Sequence, residues 1–186
     1  VSESKDHKKY KYLGPCLTNK DTGYSYPYIL KAGKKYYMFP EESNEKEVKN
    51  SMYSTSEEKF PFGWKKEQEK LFNSICEKIN DKNIIQHKGI WYIFYGSGSR
   101  KLMCAYADNL KGKWKQHPQN PILIGKNIPT RPGGSILKET EESFLMFMQQ
   151  EGELGYGQYI FPIQITKLTK KDINIIIGKA IEAKHI

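Results

Sequence analysis

Two carboxylates and one guanidinium stand out in this chain as groups able to do chemistry. Asp81 opens an apolar run, Glu41 closes another, and Arg131 sits between Thr130 and Pro132 in a chain whose one other arginine is Arg100. A carboxylate can act as base, acid or hydroxyl acceptor, and the arginine fork suits a carboxylate or phosphate on a ligand. Each also has a plainer reading. Asp81 can cap its turn, Glu41 and Glu42 can be a solvated loop, and Arg131 can make a structural salt bridge. His87 and His117 lack a second ligand at helical or strand spacing, so no metal site is expected. Gly96-Ser97-Gly98-Ser99 has neither the Lys-Ser/Thr nor the helix of a phosphate loop, and no nucleophile elbow occurs. No cofactor is expected.

The elements that must position these groups are strands. Residues 81–97, DKNIIQHKGIWYIFYGS, read as a hairpin buried on both faces, since Trp91 to Tyr95 lack polar alternation. The pattern recurs. Residues 25–41 align with it at an offset of about 56, placing Ser25 on Asp81 and Gly33 on Gly89, and residues 134–150 follow more loosely at about 52. A shared tail ends in Trp64 and Trp114. Repeats of this length with several strands each predict an all-β propeller, whose blades must stack to bury their faces. About three blades are expected, over 24–72, 75–124 and 129–177, within a propeller region 21–178. Residues 1–20 read as a frayed tail with Leu13 to Leu17 as an outer strand, and 179–186 as a tail.

Composition narrows the partners. The net charge of +9 raises nucleic acid, yet nearly all the basic residues are lysines scattered at turns and strand ends. A direct nucleic-acid role is therefore not expected. Cys16, Cys76 and Cys104 form neither an even disulfide framework nor a metal spacing. With no glycosylation sequon and no transmembrane-length run, the cytoplasm is the expected location, or a secretory lumen if the N-terminus is trimmed.

Several phrases in order carry a resemblance: Tyr24-Ser25-Tyr26-Pro27-Tyr28, Met38-Phe39-Pro40-Glu41, Phe60-Pro61 before Trp64, and Asp81-Lys82-Asn83-Ile84-Ile85. Gly89-Ile90-Trp91-Tyr92, Gly112-Lys113-Trp114, His117-Pro118-Gln119-Asn120-Pro121, Arg131-Pro132-Gly133-Gly134, Gln149-Gln150-Glu151 and Tyr156-Gly157 continue it. Together they resemble the five-bladed propeller domain related to glycoside hydrolase family 43. That domain is found at the N-terminus of plant glucosamine inositolphosphorylceramide transferases and beside some bacterial sugar formyltransferases. The resemblance implies a central face lined by the openings of the innermost strands. Asp81 and Glu41 are the catalytic candidates there, through paired-carboxylate chemistry. Ser25, Tyr26, Arg131, Gln150, Glu151 and Tyr156 are the ligand-binding candidates.

Two departures from the family pattern matter, the first because it removes one expected catalytic carboxylate. The family's first blade, with its Asp-Pro-Phe signature, has no counterpart, and Asp81 is followed by Lys82 where the family has proline. Two readings remain open: a carbohydrate-active propeller binding a glycan or sugar-phosphate, and a non-catalytic scaffold or protein-interaction module accessory to a glycosyl- or formyltransferase. Binding is favoured over cleavage. Three blades fall short of a ring, so missing blades from another segment or chain, or self-association, are expected.

Overall fold

A computed structural model describes residues 1–19, 21–43, 48–75, 79–98, 100–125, 129–152 and 155–182, with only the backbone of Val48, 150–152 and 155–157. These residues form two compact units, Val1–Leu71 and Phe72–Ile186. No helix occurs among them, and so none long and apolar enough to cross a membrane.

The first unit opens with a small hairpin, β1 (Ser2–Glu3) against β2 (Lys11–Tyr12), where the sequence reads as a frayed tail. Leu13 to Leu17 form no strand. A four-stranded meander follows: β3 (Gly23–Ala32), β4 (Lys35–Ser43), then β6 (Met52–Ser56) and β7 (Lys65–Gln68), with β5 (Val48–Lys49) pairing β4. Gly33 turns β3 into β4 at φ 60°, a conformation open to glycine at little cost. The connection to β7 is packed by aromatics. Phe60 stacks on Tyr36 at 4.0 Å and meets the edge of Trp64 at 6.1 Å, and the Trp64 indole donates to the Pro61 carbonyl at 2.7 Å.

The second unit holds two further meanders. One runs β8 (Asn80–His87), β9 (Ile90–Ser97), β10 (Lys101–Ala107) and β11 (Lys115–Gln116), with β12 (Leu123–Ile124) also on β10. Tyr92 to Tyr95 are all buried, as the absence of alternation in the sequence requires. The other has a broken first strand, β13 (Arg131–Pro132) and β14 (Leu137–Lys138), both on β15 (Phe144–Gly152). It continues through β16 (Gly155–Leu168) to β17 (Ile173–Ile177), and β18 (Ile181–Glu182) returns to β16. Apart from the small β1–β2 hairpin, each sheet has a main path of four antiparallel strands, as expected of a blade, with one or two short strands added beside it.

The two blades of this unit pack face to face. Tyr92, Phe94, Leu102 and Cys104 from one meet Phe144, Met146, Met148, Ile163 and Ile165 from the other in a single buried cluster. Alternate residues of β15 supply it, as a strand's two-residue period demands. Each such side chain contributes about 1.5–3 kcal/mol relative to exposure. Burial also pushes the Cys104 thiol well above its ordinary range.

The exit loop after β11 is fastened by side chains that act as backbone. Asn120 donates to the Cys104 carbonyl at 2.7 Å and accepts from the Cys104 amide at 2.8 Å, imitating one rung of a ladder. His117 is buried and bridges to the last blade. Its Nε2 lies 3.0 Å from the Thr169 carbonyl, and its Nδ1 accepts from the Gln119 amide at 3.2 Å. Those partners define a neutral imidazole with the proton on Nε2. Gln119 in turn accepts from the Ile173 amide at 2.5 Å.

Two predictions follow from this loop. Asn120→Ala orphans the Cys104 amide, while the Cys104 carbonyl keeps the His117 amide at 3.0 Å, and should cost about 1–3 kcal/mol in urea denaturation. Burial lowers the pKa of His117, and burial and Lys88 lower that of His87, below the ordinary 6.5. The unfolded chain therefore binds protons first on acidification, so stability is complete above pH 6.5 and declines as pH falls below it. The decline should be shallower in His117→Gln; an identical slope would remove His117 from the account.

Candidate functional site

The second unit brings Asp81 and Arg131 together. Asn80 pairs with Gly96 and Asn83 with Phe94, so Asp81 and Lys82 stand opposite Tyr95 alone. This is a β-bulge, which bends a strand and re-aims its side chains. Asp81 has φ 50°, a left-handed conformation that Asp and Asn accept more readily than other non-glycine residues. Its side chain is 5% exposed and accepts a hydrogen bond and ion pair from the Arg131 Nε. Lys82, in the place where the family resemblance expects proline, is fully buried beside it.

Arg131 reaches Asp81 from the broken first strand of the last blade. Its stem passes over Gly96, where an added Cβ would lie 3.5 Å from the Arg131 Cγ. Two contacts anchor the segment behind it to β15. The Gln149 side-chain Nε2 donates to the Pro132 carbonyl at 3.0 Å, and the Gly133 backbone amide to the Phe147 carbonyl at 2.8 Å. A Cβ on Gly133 would fall 2.9 Å from that of Gln149, so this approach requires glycine. The Arg131 side chain stays 47% exposed. The pair is thus a buried carboxylate gripping the inner side of a guanidinium that still meets solvent.

Within the first unit, β3 carries the same bulge. Tyr26 and Pro27 stand opposite Pro40, between the pairs Ser25–Glu41 and Tyr28–Phe39, and Tyr26 has φ 43°. Tyr26, not Ser25, therefore holds the place of Asp81, one residue from the sequence alignment. Ser25 Oγ lies 3.5 Å from the Glu41 carboxylate, with Glu41 half-buried. The solvated loop read at Glu41-Glu42 is instead the end of β4, and Glu42 is the buried member. It accepts from Ser51 Oγ at 2.8 Å, from the Tyr53 hydroxyl, and from Lys66 Nζ at 3.3 Å. Burial first, then the Glu42 contact, pushes the Tyr53 phenol far up, keeping it a donor. The signal for Glu42 was its parity with the buried Met38 and Pro40.

The backbones of Gln150 and Glu151 lie in β15 and that of Tyr156 in β16, but their side chains fall outside the described residues, as does Cys76. Among the described residues no group of three His, Cys, Asp or Glu could hold a metal ion. His87 packs edge-on against Phe144 at 5.2 Å, a core position.

Four-stranded meanders, two of them with bulged first strands and one pair joined by a charged contact at the strand opening, define a glycosidase-like β-propeller. Family 117 glycoside hydrolase Zg3597 from Zobellia galactanivorans matches 98% of this chain and 55% of its own, at TM-score 0.73 and 16% identity. A β-1,2-mannobiose phosphorylase from Listeria innocua matches 97% and 52%, at TM-score 0.67 and 17% identity. In sequence, residues 1–184 match the family described as glucosamine inositolphosphorylceramide transferase 1, N-terminal, and the chain belongs to that family. Glucosamine inositolphosphorylceramide transferase 1 from Oryza sativa subsp. indica is 30% identical over 156 residues, which is 80% of this chain. The chain spans about a fifth of the length of that relative.

The geometry sets an order of mutational cost. Arg131→Ala strands a buried carboxylate and should cost about 1–3 kcal/mol, less than for a fully buried pair because Arg131 is half in water. Asp81→Asn keeps a residue suited to the left-handed bulge, whereas Asp81→Ala adds backbone strain of about 1 kcal/mol. Chemical denaturation should rank Asp81→Asn as milder than Asp81→Ala, and the reverse order would refute this account of the bulge.

Proposed function

We propose that this domain binds a glycan or sugar-phosphate ligand at the strand openings that carry Asp81 and Arg131, and does so without cleaving it. The observation that carries this reading is the ion pair itself. Engaged by a guanidinium, Asp81 serves as an acceptor that orients Arg131, not as the proton donor that glycoside cleavage needs. Arg131, held from behind and half-exposed, suits a phosphate or carboxylate on the ligand. A relative named as a glucosamine inositolphosphorylceramide transferase, and fold neighbours named as a glycoside hydrolase and a mannobiose phosphorylase, support a saccharide as the rest of it. In the longer relatives such a domain would hold a substrate for chemistry elsewhere in the chain.

The test is a thermal-shift and calorimetric screen of oligosaccharides, nucleotide sugars and inositol phosphates on the wild type, Arg131→Lys and Arg131→Ala. One anionic sugar class should stabilise the wild type, bind Arg131→Lys more weakly, and leave Arg131→Ala unmoved. Release of free sugar that Asp81→Asn abolishes would overturn the non-catalytic reading. Silence from every ligand would favour a scaffold.

A further inference from the structure

The buried Glu42 network forms the wall of a second site, in the first unit and built from other residues than the ion pair. A cleft of about 260 Å³ opens at the end of β4, lined by Asn19, Asp21, Thr22, Glu42, Ser43, Lys49, Lys66 and Glu69. Its size suits one small ring and not an extended chain. Its floor is rigid. The Glu42 side chain is 4% exposed and fixed by Ser51, Tyr53 and Lys66, and Glu42 is paired across the strands with Lys49. At the rim Lys66 also reaches Glu69 at 3.1 Å. Burial works against the charge of Lys66, but Glu69 and Glu42 outweigh it and raise its pKa, so the ammonium persists.

The lining selects a chemistry by exclusion. Three carboxylates, Asp21, Glu42 and Glu69, nearly balance two ammonium groups, Lys49 and Lys66, so the lining holds no strong net charge to draw in a simple anion or cation. Every lining residue is polar, which disfavours an apolar guest. What remains is a neutral molecule whose groups donate and accept at once. A hydroxyl does both, giving its proton to a carboxylate and taking one from an ammonium or amide. We propose that this cleft is a binding site for a neutral ring of vicinal hydroxyls, a pyranose or a cyclitol, distinct from the Asp81–Arg131 site.

Backbone amide NMR titration with methyl glucoside, methyl mannoside, myo-inositol and inorganic phosphate tests it. The neutral polyols should give saturable shifts at Thr22, Ser43 and Lys49, and the glycosides and the cyclitol separate the two ring types by which binds tighter. Arg131→Ala should leave those shifts intact, so failure of one site does not mimic failure of the other. The rim variants Glu69→Gln and Lys49→Gln, which leave the Glu42 floor in place, should weaken the polyol about tenfold when combined. Saturation by phosphate in preference to polyols, shifts confined to the neighbourhood of Arg131, or no saturable shift would each overturn the proposal.

Discussion

A four-stranded sheet with apolar side chains on both faces cannot be stable in water alone, and the second unit is built around that constraint. The cluster joining Phe94 and Cys104 to Met146 and Ile163 covers one face of each of its two blades. Once those faces are pressed together, the connecting loop has to be satisfied without a ladder of its own. Asn120 and His117 do this by lending side-chain groups to the backbone of neighbouring strands. The same stacking carries β13 to the opening of β8 and β9, where Arg131 finds Asp81. The ion pair is a product of sheet packing as much as of charge.

The recurring bulge shows how one backbone device serves different side chains. In the first blade it presents Tyr26 and Pro27, and in the second Asp81 and Lys82. Two residues opposite one turn the strand's opening away from the ladder, so the side chain there is freed from strand alternation. Variation at that position can change the chemistry of a blade's tip without disturbing the core beneath. The bound ligand class would then be written in bulge residues, and stability in the strands that follow them.

Much of this was legible in the sequence. The aromatic runs announced β4 and β9, Gly33 and Gly89 announced their turns, and Arg131 was conspicuous in a lysine-rich chain. What failed was fine register. Gly33 occupies the first turn position and Gly89 the second, so an alignment that superposes the glycines is one residue out at the bulge. It chose Ser25 where the backbone singles out Tyr26. The pairing of Asp81 with Arg131 spans two blades and depends on how sheets stack, which residue spacing does not record. Glu42 was passed over because two adjacent glutamates suggest solvent, although strand parity buries one of them. The small hairpin of Ser2–Glu3 with Lys11–Tyr12 carries no apolar pattern at all.

Cys104 lies at the centre of this arrangement, fully enclosed, with its backbone clasped by Asn120 and its thiol against the opposing sheet. Nothing can reach its sulfur until the loop lets go and the two sheets part. Its rate of alkylation is therefore a clock for the opening of this unit, whereas the half-buried Cys16 is open to reagent at once. The same enclosure makes the thiol a chemically silent passenger in the native protein, inert to oxidants that the chain meets while it stays shut.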